Sequence, residues 1–205
     1  MEIIPPEDLL YGYSHGFFPM ADSRHGSGFA WYTAKMRGVI PLDEFHVSKN
    51  IHRLIRQNKY QVTIDAAFRD VILACAERES TWISDLIIDS YIYLHRLRFA
   101  HSVEVWENDE LVGGLYGVSL GSAFFGESMF KRAKEADKVA LYYCHQQLLR
   151  QKYTLWDTQF YTPHLAQFGC KEIPDEKYMT LLNKATSETR FFNPSGSDSN
   201  SELSQ

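Results

Sequence analysis

Along residues 102–106, Val103 and Val105 alternate with Ser102, Glu104 and Trp106, the period-two pattern of a half-buried strand. Asn108 and Asp109 then mark a tight turn. An apolar run follows, LVGGLYGV at 111–118, broken by Gly113, Gly114 and Gly117. After it comes a third short run, SAFFG, that ends in Glu127 and Ser128. The three runs predict an antiparallel meander. Glycines inside strands mark a bulge or a close approach, so a ligand is expected over the glycine-rich part.

Elsewhere the period lengthens to that of helices. EDLLYGYS follows Pro5 and Pro6, its acidic residues suit a first helical turn, and Gly16 stops it. From Phe17 to Leu42 the chain reads as loop with two short strand-like runs, too polar to form a core alone. In VSKNIHRLIRQNKY, Ser48 caps a helix whose Ile51, Leu54 and Ile55 face inward. Lys49, Arg53 and Arg56 recur at i, i+4 and i+7 on its opposite face, which is either a solvated face or a contact for a phosphate backbone. QVTI at 61–64 reads as a strand. A helix capped by Asp65 carries Phe68, Val71, Ile72 and Cys75 on one side, and a second, from Ser84 to Phe99, carries Ile87, Tyr91 and Leu94. A third helix spans 133–151, TLWD reads as a strand ending near Asp157, and a last helix begins near Pro174.

This order predicts an α+β fold, one mixed sheet with flanking helices. Residues 1–59 are expected to form a small N-terminal domain with the basic helix, residues 60–192 the main domain, and residues 193–205 a disordered tail poor in apolar residues.

Composition narrows the class. The chain has 205 residues, 44% hydrophobic and 14% aromatic, ample for a core. A formal net charge of -5 excludes a protein that coats nucleic acid by charge alone, so any such contact must use a local basic patch. Cys75, Cys144 and Cys170 form no CxxC pair, which indicates neither a disulfide framework nor a zinc knuckle and fits a reducing cytoplasm. MEIIPPEDLL has no basic leader, and no stretch approaches the roughly 18 apolar residues of a membrane helix. His101, His145 and His164 are scattered without ligand spacing, so no metal is expected. Neither a GxSxG nor a Walker-type loop is present.

The element order is similar to the GNAT acyltransferase layout, in which acetyl-coenzyme A is held on a glycine-rich loop of backbone N–H groups. Here that place reads ESMFKRAKEADK, without a glycine, and a donor other than coenzyme A is expected.

Three polar residues stand out. Asp157 ends a strand and Gln159 follows two residues on, so both face one side if the strand continues. Read alone, they close a strand and cap a turn. Glu127 follows Ala123, Phe124 and Phe125, where a carboxylate is costly to bury unless it meets a cation or donors. It either caps the following turn or binds an amine.

TWIS at 81–84, HSVEVW at 101–106, LVGGLYGV, FFGESMF at 124–130 and LWDTQFYTPHLAQFGCKEIP at 155–174 closely resemble the leucyl/phenylalanyl-tRNA–protein transferases, as do HGFFPM and the HVSKNIHRLIR helix. The likeness runs in order through nearly the whole chain. It implies a GNAT-like catalytic domain with a small N-terminal domain. The implied reaction moves Leu or Phe, and also Met, from aminoacyl-tRNA to the N-terminal Arg or Lys of a protein, marking it for degradation. The ester is already activated, so the reaction needs no cofactor, only an unprotonated amine near the carbonyl and donors for the developing oxyanion.

Carried over residue by residue, the resemblance makes Asp157 the acceptor of the amine proton, with Gln159 relaying it or orienting the nucleophile. Met129, Leu115 and Leu141 would line an apolar pocket for the donor side chain, and Glu127 would bind the amino group of the donor residue or the basic end of the acceptor. Trp82 would stack near the terminal adenosine. Lys49, Arg53 and Arg56 would touch acceptor-stem phosphates without reading sequence. A monomer in the cytoplasm is expected.

Some positions depart from the family pattern. Met20 stands where many members have tryptophan, and Thr162 and Pro163 where some have Asn and Asp. Trp156 replaces a smaller pocket residue, which would tilt preference from Phe towards Leu. The N-terminal lobe is shorter than in longer members. Two other readings remain: a related aminoacyl-tRNA-dependent transferase with another acceptor, such as N-terminal Asp or Glu or a peptidoglycan peptide, and a noncatalytic aminoacyl-tRNA-binding module.

Overall fold

The computed structural model describes residues 2–26, 28–78 and 81–194. In chain order the elements are α1 (Pro6–Ser14), β1 (Phe18–Ala21), β2 (Phe29–Tyr32), β3 (Met36–Val39), α2 (Lys49–Arg56), β4 (Gln61–Ile64), α3 (Phe68–Ala76) and α4 (Asp85–Arg96). They continue with β5 (Ala100–Glu107), β6 (Glu110–Leu120), β7 (Ala123–Lys131), α5 (Ala136–Arg150), β8 (Leu155–Gln159), α6 (Pro163–Ala166), β9 (Lys171–Pro174) and α7 (Asp175–Thr186).

Strands β4 to β7 form an antiparallel meander, α5 crosses over to bring β8 in parallel to β7, and β3 and β9 complete a seven-stranded sheet in the order β4-β5-β6-β7-β8-β3-β9. One buried cluster joins α1, α3, α4 and α7 to one side of the sheet, and a second joins α2 and α5 to the other. This is the α+β mixed sheet with flanking helices that the sequence predicts. β3, which the sequence reading put in the 1–59 unit, hydrogen-bonds to β8 and β9, while β1 and β2 pair separately as a two-stranded sheet.

Several local expectations are corrected. The meander has four strands, and β7 continues through Glu127 and Ser128 to Lys131. Asp65 does not cap α3, which starts at Phe68. Its φ is +61°, and its carboxylate instead accepts from the Ser102 amide at 3.0 Å and meets His101 Nδ1 at 2.8 Å. Of the tail expected from residue 193, residues 195–205 lie outside the described residues. Asn193 is tied down, its Nδ2 donating to Asp65 Oδ2 at 3.2 Å, and Phe192 is buried.

The glycines of β6 serve packing, and the space over them is filled by the protein itself. A Cβ at Gly113 would fall 2.5 Å from the Cβ of Ala136 on α5, and one at Gly117 would fall 2.4 Å from the Phe125 carbonyl oxygen. Both sites therefore need a bare backbone. The loop entering α5 likewise offers little to a pyrophosphate, because the amides of Arg132 and Ala133 both donate to the Val112 carbonyl, at 2.7 and 3.1 Å.

Gly117→Ala should lower stability by roughly 1–3 kcal/mol through overpacking. Gly28→Ala, where nothing lies within 4 Å, should be near neutral. Urea unfolding of both variants checks the contrast, and equal midpoints would reject this account of the β6 glycines.

Candidate active site

Strands β7 and β8 pair only as far as Phe125 and Asp157, and beyond that point they part. Each carries an irregularity there. Opposite β6, Tyr116 pairs with Ser128 and Gly117 with Gly126, so Glu127 is the extra residue of a β-bulge. Opposite β3, Gly38 pairs with Gln159 and Val39 with Asp157, so Thr158 is extra, and Gln159 has φ +62°. The regular continuation that would place Asp157 and Gln159 on one side does not occur. A bulge re-aims side chains, and here the two side chains have different partners.

Asp157 is fully buried against Arg37, also fully buried. Arg37 donates through Nε to both carboxylate oxygens, at 2.9 and 3.1 Å, and through Nη2 to Oδ2 at 2.7 Å. Tyr178 of α7 donates to Oδ2 at 2.6 Å and the Gln159 amide to Oδ1 at 2.7 Å. Arg37 Nη1 donates to the Gly16 carbonyl at 2.9 Å, and the guanidinium lies over the rings of Phe18 and Tyr178. Burial opposes its charge, but Asp157 outweighs that and holds its pKa above the ordinary arginine value. Both oxygens of Asp157 are thus engaged and none of its surface is exposed. The proton-accepting role expected for it has no open path in this geometry.

Glu127 has the opposite character. Its Oε1 accepts from the Tyr13 hydroxyl of α1 and from Gln159 Nε2, both at 2.7 Å, while Oε2 has no partner among the described residues. The Tyr13 hydroxyl also contacts that of Tyr91. Burial pushes the Glu127 carboxyl up to about 8; the Tyr13 hydrogen bond lowers it in part and the Asp157 charge adds to the rise. Burial likewise raises the hydroxyls of Tyr13, Tyr91 and Tyr116, which remain protonated donors.

Glu127 borders a pocket of about 90 Å³ at the parting of the strands. Its apolar walls are Leu115, Met129, Leu141, Trp156, Phe124 and Leu165, with Tyr116, Gly126, Ser128 and Thr158 completing the lining. The Tyr116 hydroxyl is a second buried polar atom without a partner among the described residues. The expected pocket residues Leu115, Met129, Leu141 and Trp156 thus meet, next to Glu127. Trp82 and Met20 are not among the lining residues. The amide of Ala21, next in sequence to Met20, donates to the Trp82 carbonyl at 3.1 Å, and Met20 and Trp82 both pack partly buried on the first core cluster.

On α2, Lys49, Arg53 and Arg56 are exposed, and no carboxylate pairs with them among the described residues. Arg53 bonds only to Asn50 and Gln57. Ile51 anchors this helix in the cluster that contains Leu115, Leu141 and Trp156. Among the described residues no group of three or more His, Cys, Asp or Glu could hold a metal. No described helix is long and apolar enough to cross a membrane.

The sequence reading missed Arg37, Tyr13, Tyr91, Tyr116 and Tyr178. Arg37 left a signal, a lone charge inside the strand-like run MRGVI, where arginine is buried only when paired. The tyrosines left none, since an inward tyrosine reads as ordinary core.

Comparison with known proteins fits this geometry. The family model described as leucyl/phenylalanyl-tRNA protein transferase matches residues 39–183, and the model of that transferase's N-terminal domain matches residues 3–35. The chain belongs to the leucyl/phenylalanyl-tRNA–protein transferase family. It is 50% identical over 182 residues to the leucyl/phenylalanyl-tRNA–protein transferase of Phenylobacterium zucineum, covering 87% of this chain and 82% of that one. The protein of the same name from Hyphomonas neptunium is also 50% identical, over 88% of this chain and 71% of its own length. Among solved structures, that of L-PGS from Bacillus licheniformis is 17% identical, with a TM-score of 0.41 over 80% of this chain and 56% of that one. Membership makes the chain a transferase, and the interval between the two matched stretches, residues 36–38, lies within β3.

Native Glu127 keeps its proton up to about pH 8, whereas in the unfolded chain it titrates near 4.5. Between those values the unfolded state binds fewer protons, so this residue makes stability fall as pH rises through the interval. Glu127→Gln retains an acceptor for Tyr13 and Gln159 and removes the charge. Urea titrations from pH 5 to 9 should show the variant gaining on wild type by on the order of a few kcal/mol towards pH 9. Parallel curves for the two proteins would refute this assignment.

Proposed function

We propose that this protein transfers Leu or Phe, and also Met, from the 3′ end of aminoacyl-tRNA to the N-terminal Arg or Lys of a protein, marking it for degradation. The observation that carries the reading is a small apolar pocket lined also by Glu127 and Tyr116, whose Oε2 and hydroxyl are buried without a partner among the described residues. An amino acid ester offers the matching pair, an apolar side chain and an amine. The side chain would lie between Leu115, Met129, Leu141 and Trp156, and the α-amine against Glu127.

Gln159 binds Glu127 through Nε2, which leaves its amide oxygen to accept from the attacking amine. The new C–N bond forms as the ester C–O bond breaks, and the amine proton passes to the departing ribose oxygen. Glu127, the only carboxyl lining the pocket among the described residues, is poised near neutrality to carry that proton. Asp157 acts through Gln159 by fixing its backbone. The exposed cations Lys49, Arg53 and Arg56 would take acceptor-stem phosphates, and Trp82 with Met20 would take the terminal adenine. The protein is taken to act as a monomer in the cytoplasm, where charged tRNA is found.

Radiolabelled Leu on charged tRNA, offered to peptides that differ only in an N-terminal Arg, Lys, Asp or Ala, tests the assignment. The Arg and Lys peptides alone should be labelled. Labelling of the Asp peptide instead would transfer the reading to the related enzyme with an acidic acceptor, and tRNA binding without any labelling would reject catalysis. Asp157→Asn should lower kcat by roughly tenfold or more, as a misplaced nucleophile does. A fully active variant would make the Asp157–Arg37 pair structural only.

Trp156 fills one wall of the pocket at 2% exposure. Trp156→Leu should raise kcat/KM for Phe-tRNA relative to Leu-tRNA by roughly tenfold, the scale on which apolar pockets discriminate. An unchanged ratio would show that Trp156 does not set donor size.

A further inference from the structure

A second cavity, of about 510 Å³, adjoins the first. Met129 lines both, and the neighbours His164 and Leu165 face one each, His164 the larger cavity and Leu165 the smaller. The shared wall places whatever fills the larger cavity next to whatever occupies the apolar pocket.

Its lining combines two kinds of group. Arg78, Lys131 and Arg132 supply three cations against Glu77 and Asp137, and His164 adds a further nitrogen. Arg78 is fixed by donating to the Met129 carbonyl at 2.5 Å and to Ser128 Oγ at 3.3 Å. Arg132 pairs with Glu77 at 2.7 Å, in an exposed contact that contributes little and exchanges readily. Asp137, by contrast, is only 5% exposed, and its Oδ1 is buried without a partner among the described residues. Its Oδ2 lies 3.7 Å from both Lys131 Nζ and His164 Nε2, too far for a hydrogen bond to either.

An unpaired buried carboxylate oxygen is costly, and it calls for a donor. The cations around it call for an anion. A nucleotide carries both, a phosphate and, on ribose or base, hydroxyl or amino donors. A simple anion would leave Asp137 unmet, and a simple cation would be repelled by the arginines.

We propose that this cavity binds the nucleotide that precedes the terminal adenosine in the single-stranded 3′ end of the donor, with Arg78, Lys131 and Arg132 on its phosphate and Asp137 on a hydroxyl or exocyclic amine. The inference rests on the donor reading given above. It assigns to the strand a binding step beyond the basic face of α2, within reach of the reacting ester.

Three donors of increasing length separate the possibilities: leucyl-adenosine, leucyl-cytidylyl-adenosine and leucyl-tRNA, each with the Arg peptide as acceptor. Wild type should use the dinucleotide ester with a KM roughly tenfold below that of the adenosine ester, the scale of one added charge-assisted contact. Arg132→Ala and Asp137→Asn should each erase most of that gain while transfer from leucyl-adenosine is affected much less. Arg132→Ala should also reduce the slope of log KM against log salt for leucyl-tRNA by about 1. Arg132 is half-exposed, so its variant folds whether or not Asp137→Asn does. Equal use of the two short esters by wild type would overturn the proposal, as would variants that change only the peptide KM, which would assign the cavity to the acceptor. No transfer from any of the three donors would instead defeat the donor reading itself.

Discussion

The buried pair of Arg37 and Asp157 is the constraint on which the rest of this structure depends. Two charges removed from water are tolerable only if every polar atom around them is engaged. The protein meets that demand by bringing β8, α7 and the turn after α1 to one point: Tyr178 and the Gln159 amide supply donors, and the Gly16 carbonyl takes the remaining guanidinium edge. β3 has to lie inside the large sheet for Arg37 to reach Asp157. The N-terminal segment is thereby held against α7.

The site grows from two defects in an otherwise regular sheet. β7 and β8 part after Phe125 and Asp157, and each holds one residue too many just beyond. The extra residue of β7 is Glu127, turned towards Tyr13 and Gln159; that of β8 is Thr158, after which Gln159 takes a left-handed backbone. Such strain persists only where the surroundings over-determine it. Here the Arg37–Asp157 pair does so, because the Gln159 amide is bound to the same carboxylate. Two carboxylates a few residues from the same parting of strands end up with contrasting characters, one saturated by a cation and donors, the other left with an open oxygen.

Much of this was legible in the sequence. Alternation at Val103 and Val105, the glycine-broken run that became β6 and the helical stripe of α5 gave the meander and the crossover. The resemblance then gathered Leu115, Met129, Leu141 and Trp156 around one pocket. What stayed hidden depends on contacts far apart in the chain. A bulge has no signature when its partner strand is unknown, so Glu127 read as the end of a strand. The β6 glycines read as room for a ligand because periodicity does not reveal that Ala136 fills the space. Arg37 was passed over because its partner lies 120 positions away.

Tyr13 and Gly16 belong to the segment before β1, yet one touches the carboxylate of Glu127 and the other the guanidinium of Arg37. A short N-terminal stretch therefore moderates the proton affinity of a group that lies more than a hundred residues downstream and that burial raises. Any displacement of α1 takes away the hydroxyl that steadies the ionised form of Glu127 and registers as an altered acidity at the pocket. The seat of the amino-terminal helix and the acidity of Glu127 are in this way linked through a single hydroxyl.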